Sequence, residues 1–149
     1  MNLIKPALAL LACALVTGQA VARDTEYKLK FADVLALNDP NIKVKLDDSI
    51  KLYFADQPTP KVLSKLGEDT SNKKTNGFGK DDEFGCKWAA YSALVALQER
   101  AKHLGANAVV NIVSNYKKDP FSSQTDYECH AGAFVIGVAL KGTFVKIAP

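Results

Sequence analysis

The run from Phe84 to Tyr116 limits what this chain can become more than any other stretch. It reads as one long helix, a tight glycine turn and a strand. Trp88 to Gln98 are mostly strong helix formers, with neither Gly nor Pro among them. Apolar side chains recur at Cys86, Ala90, Leu94, Leu97, Ala101 and Leu104, the three-and-four spacing of a helix face. Trp88, Tyr91 and Val95 widen that face until only a narrow polar strip is left. Asp81 or Asp82 is placed to cap the helix, and Glu83 suits its N-terminal dipole. Gly105 stops it, with Lys102 and His103 near the C-terminal dipole. Ala108 to Ser114 is then β-rich and the clearest strand of the chain. A helix that returns straight into a strand is a packing unit, so the helix is expected to cover a sheet.

The remaining segments fit that plan unevenly. Ile50, Leu52 and Phe54 alternate with Lys51 and Tyr53, the pattern of a half-buried strand. Tyr27 to Phe31 alternates like a short strand, while Phe31 to Leu37 reads as two helical turns, and the two readings overlap. Val62 to Thr70 suits an edge strand. Ser71 to Glu83 is polar and glycine-bearing, and is expected to be a long surface loop of the kind that carries function. Thr125 to Val138 reads as one strand with bulges or close crossings at Gly132 and Gly137. Leu140 to Ile147 completes the domain, with a turn or bulge near Gly142. The sum is an α+β domain: a mostly antiparallel sheet of four to six strands packed by one long helix over about 84–104. The breadth of the helix face asks for a second cover, either early segments or another copy of the chain, so self-association through that face is an expected partnership.

The first residues are an address. Met1 to Lys5 is a short basic start, Pro6 to Val16 is apolar, and Ala20-Val21-Ala22 supplies the small residues that a signal peptidase reads. The expectation is a signal peptide over 1–22, a single domain over 23–149, and delivery to the periplasm. The apolar run is well short of the roughly 20 residues that span a bilayer, so no transmembrane segment is expected after processing. A second route runs through Leu10-Leu11-Ala12-Cys13, which resembles the box at which bacterial lipoproteins are acylated and would give an outer-membrane lipoprotein held at Cys13. The net charge of +3 falls to +2 when Lys5 leaves with the peptide, a balance that argues for neither a nucleic-acid nor an acidic partner, and no nucleic acid is expected. Cys86 and Cys129 then remain. In an exported chain an even pair suggests one disulfide, from the start of the helix to a later strand; two reduced thiols or a metal pair are the alternatives.

Cys129-His130 is the most chemical-looking pair. With Cys86 and His103 it offers soft ligands for zinc or copper, and His130 and His103 are the candidate metal residues. Neighbours in a strand point to opposite faces, so Cys129 and His130 share one ion only across a bulge. Asp81, Asp82 and Glu83 supply carboxylates for a small hydrolase, and equally a helix cap. Asn76 to Lys80 lacks the spacing of a phosphate loop. Lys73-Lys74 and Lys117-Lys118 are short basic patches suited to lipid phosphate, an acidic polymer or plain solvation. No catalytic set is assembled and no cofactor is expected.

The block Cys86-Lys-Trp-Ala, then Leu97 to Ser114, Tyr127 to Ala133 and Leu140 to Lys146 resembles a group of small exported proteobacterial proteins, some of them labelled excinuclease ATPase subunits. The Walker lysine and its glycines are missing here, so the resemblance implies export and fold, not ATP chemistry. More distantly, the helix followed by Gly105-Ala-Asn-Ala-Val-Val110 is similar to the putative heavy-metal-binding domain family and to the outer-membrane lipoprotein that senses envelope stress in the Rcs pathway. Cys86 and Cys129 look similar to one disulfide of that lipoprotein, whose second disulfide and proline-rich linker are absent here. The expectation is a non-enzymatic periplasmic protein that binds an envelope protein or component. A periplasmic zinc- or copper-binding protein and a small hydrolase are the other two readings.

Overall fold

The computed structural model describes residues 22–149; the expected leader up to Val21, Cys13 included, lies outside them. The elements run β1 (Thr25–Lys30), α1 (Phe31–Leu35), β2 (Lys51–Phe54), β3 (Val62–Asn76), α2 (Asp82–His103), β4 (Ala108–Ser114), β5 (Asp126–Ala131) and β6 (Val135–Ile147), with a short 3-10 turn at Tyr116–Lys118. The fold is α+β as expected: six strands in one mixed sheet, one long helix, and a disulfide between Cys86 and Cys129. No helix among the described residues is long and apolar enough to cross a membrane.

β6 is the spine of the sheet. β3 runs antiparallel along its whole length on one edge. The other edge is shared: β5 pairs with β6 only at His130↔Gly137 and Ala131↔Ile136, and β4 pairs with it from Leu140 to Val145. The sheet therefore forks. One branch is β5 with β1 and the other is β4 with β2, the latter pair parallel. Ser114, fully enclosed, closes the fork by accepting the Glu128 backbone N–H at 2.8 Å. Gly142 lies within β6, not at a turn. A Cβ there would meet Val109 Cγ1 at 2.5 Å, so glycine lets β4 and its side chains close in.

α2 covers one face of the sheet. Its first turn is capped by Asp81, which accepts the Phe84 N–H at 3.0 Å, and Gly105 at φ 75° ends it. Leu94, Leu97, Ile112, Ile136, Leu140, Phe144 and Tyr127 are fully buried between helix and sheet. The breadth of the helix face is explained on one side by the segment before β2. Gln98, buried, accepts the Asp47 N–H at 2.7 Å and donates to the carbonyls of Asp47 and Ile50 at 2.9 and 2.7 Å. Tyr91 Oη accepts the Leu46 N–H at 3.0 Å. These bonds satisfy the backbone of a strap that has no ladder of its own.

Two local readings are corrected. The expected loop over 71–83 is strand over its first six residues, because β3 continues to Asn76, and a loop remains only between Asn76 and Asp82. Its polar residues alternate half-buried and exposed on an edge, where pairing with β6 replaces apolar burial as the organising force. Thr125 to Val138 is two strands, turned at Gly132, whose N–H returns to the Val135 carbonyl at 2.8 Å. Within β4, Asn111 departs from extended backbone. It is exposed at φ 50° where the β4–β6 register shifts between Val110 and Val113, a bulge that asparagine tolerates. The overlapping readings at Phe31 are both correct, since β1 ends where α1 begins.

Candidate metal centre on the outer face

β5 alternates strictly. Tyr127, Cys129 and Ala131 are buried under α2, while Asp126, Glu128 and His130 point to the opposite, outer face. The strand thus separates Cys129 from His130 as its period requires. Cys129 is bonded to Cys86 across 5.8 Å between Cα atoms, and His130 is left to the outer face.

The antiparallel register of β1 on β5 places Glu26 opposite His130, Lys28 opposite Glu128 and Lys30 opposite Asp126. Each pair sets complementary polar or charged groups side by side on one face. Lys30 Nζ donates to Asp126 at 2.6 Å, and Lys28 Nζ bridges Glu128, at 2.8 Å, and Glu26. His130 is the most enclosed member of this ladder together with Glu128, their side chains 11% and 12% exposed. Its ring lies flat on Tyr116 at a centroid distance of 3.6 Å and an angle of 9°. Nε2 faces Glu128 Oε1 at 2.5 Å, and Nδ1 faces Asp24 Oδ1 at 2.9 Å. Phe121, further along the same loop, places its ring 4.3 Å from Lys28 Nζ.

Burial opposes ionisation of Glu128, but the hydrogen bonds from His130 and Lys28 outweigh it and hold its carboxyl below the ordinary value. The same two glutamates raise Lys28 against its own desolvation. Glu26, Glu128 and His130 each offer one ligand atom, all within 4.8 Å of one another. An ion with bonds of about 2.0–2.2 Å in tetrahedral geometry holds its ligands roughly 3.4 Å apart, a closure within reach of side-chain rotation. With Asp24 on Nδ1, in the carboxylate–histidine arrangement that orients metal-bound imidazoles, Nε2 is the nitrogen that would coordinate, its hydrogen bond to Glu128 giving way to the ion. The cation now between the glutamates is Lys28, which an incoming ion would have to displace.

The other candidate residues lie elsewhere. His103 is exposed in the last turn of α2, about 25 Å of helix from Cys86 at 1.5 Å per residue. Asp81 is committed to the helix cap. Asp82 receives Arg23 and the Tyr27 hydroxyl, the latter at 2.8 Å, and these bonds, Arg23 first, lower its pKa. The carboxylates that meet His130 are Glu128 and Asp24. Glu26 and Glu128 escape a reading of the sequence because 100 residues separate Lys28 from its partner Glu128. A signal was nevertheless present: Glu26-x-Lys28-x-Lys30 and Asp126-x-Glu128-x-His130 are complementary when laid antiparallel. No family model, curated protein or solved structure matches the chain.

Proposed function

We propose that this is a metal-binding domain that takes a divalent transition ion, zinc or copper, at Glu26, Glu128 and His130. The observation that carries the reading is the convergence of two carboxylates and one imidazole within 4.8 Å on a half-enclosed face. One nitrogen and two oxygens suit zinc or copper better than calcium or magnesium, which prefer oxygen alone. Three protein ligands leave room for water or a further ligand. We place this activity in the periplasm on the strength of the leader-like first residues and the disulfide.

Native mass spectrometry of residues 23–149 with zinc and with copper tests it. The expected result is one ion per chain, lost in His130→Ala and in Glu128→Gln and retained in His103→Ala. Absence of a bound ion in the unaltered protein, or retention in His130→Ala, would refute it.

A second reading, binding of an envelope protein or component, is supported by a different region. A groove of about 350 Å³ runs along α2 between the strap before β2 and β3, with Trp88, Val95, Ile42 and Val44 in its walls. Phe84, 40% exposed, stacks with Trp88 at a centroid distance of 6.3 Å. Cross-linking from position 88 in whole cells, with one discrete product expected and none contradicting the reading, tests this surface.

A further inference from the structure

Lys117 and Lys118 follow Tyr116, the ring stacked on His130, and are not among the ligands of the candidate metal centre. Among the described residues four non-glycine positions have positive φ, and two of them are these adjacent lysines, at 49° and 62°. L-residues other than Asn, Asp and Gly adopt that conformation at a cost, and long side chains placed there in succession are held by their surroundings. They are held over a basin of about 600 Å³ lined by Thr70 and Asn72 of β3, Asn115, Lys117, Lys118 and Lys141 of β6. No carboxylate lines it. The nearest acid to Lys141 is Glu68, at 3.6 Å, and Lys117 and Lys118 form no ion pair among the described residues. Lys117 Nζ instead lies 5.3 Å from the centroid of Tyr116, the ring on which His130 is stacked.

We propose that this basin binds a phosphate-bearing ligand. Three lysines line the basin beside Thr70 and two asparagines, with Asn115 Nδ2 donating to Thr70 Oγ1 at 3.2 Å, and this cationic lining matches a group with about −1.5 to −2 charges and three acceptor oxygens. A carboxylate, with two oxygens and a single charge, would leave donors unused. At about 600 Å³ the basin has room for more than a bare oxyanion, so it can take a phosphate with an organic portion, either a small soluble monoester or the headgroup of a lipid. The inference stands apart from metal binding, since none of the basin residues is a ligand of that centre.

Calorimetric titration with inorganic phosphate and glycerol 3-phosphate, together with co-sedimentation on vesicles of phosphatidylcholine with and without phosphatidic acid, tests the proposal. Glycerol 3-phosphate is expected to bind, at least tenfold more weakly in Lys141→Gln and in the double variant Lys117→Asn/Lys118→Asn, and more weakly as salt is raised. The double variant should melt no lower than the unaltered protein, because asparagine accepts positive φ more readily than lysine; loss of binding with the melting temperature kept excludes misfolding. Selective sedimentation with phosphatidic acid assigns the phosphate to lipid, and binding of the soluble ester without it assigns a free metabolite. No binding to either, or binding unchanged in both variants, would overturn the proposal.

Discussion

The two faces of β5 do different work with alternate residues of one six-residue strand. Inward, Tyr127, Cys129 and Ala131 have no exposed surface and are fixed by α2 and the disulfide. Outward, Asp126, Glu128 and His130 are held by paired charges, with Tyr116 stacked on His130 and Phe121 against their partner Lys28. Apolar burial and a covalent bond set stability on the first face. On the second, partly exposed ion pairs contribute little individually, of the order of 0–1 kcal/mol, so their arrangement can serve ligand binding with little cost to the fold. Substitutions on the two faces should therefore separate stability from metal affinity.

The largest effect belongs inside. Replacing both Cys86 and Cys129 by alanine opens a link between residues 43 apart, and chain entropy sets the loss near 4 kcal/mol, read by urea denaturation. A protein as stable without the bond as with it would remove the covalent half of the contrast. Next comes Gln98→Ala, which strips partners from Asp47 and Ile50 beneath the strap. A loss of about 2–3 kcal/mol is expected, with hydrogen exchange accelerated over residues 46–50; unchanged exchange there would show that the strap is held by packing alone. On the outer face, His130→Gln should cost under about 1 kcal/mol while removing zinc.

The smallest effect is the acid response of Glu128. Its folded pKa lies below the ordinary 4.5, so the stability it adds is present above that pH and lost as pH falls through the lowered value. Glu128→Gln should flatten the decline of stability below pH 4.5 and leave neutral stability within about 1 kcal/mol; an acid slope equal to that of the unaltered protein would mean that the ladder does not titrate as a unit.

The same contrast explains what could be read in the chain. α2, β4 and the disulfide were legible because each is written in local terms: helical spacing, a β-branched run, an even cysteine pair. β3 was legible only to Thr70, because Ser71 to Asn76 owe their strand to β6 and carry no apolar signature. Of the candidate metal centre His130 was visible, but Glu26 and Glu128 acquire their meaning from a register set by tertiary pairing. Tyr116, stacked on His130, looked like the end of β4, and the bulge at Asn111 that re-aims the strand shortly before it depends on the same pairing.

Lys28 offers the most direct test, since it occupies the place assigned to the ion. Zinc affinity measured by calorimetry at pH 7.5 for the unaltered protein and for Lys28→Met should differ by tenfold or more, the variant binding tighter because no ammonium must be expelled from between Glu26 and Glu128. Equal or weaker zinc binding after the lysine is removed would contradict a metal centre on this face.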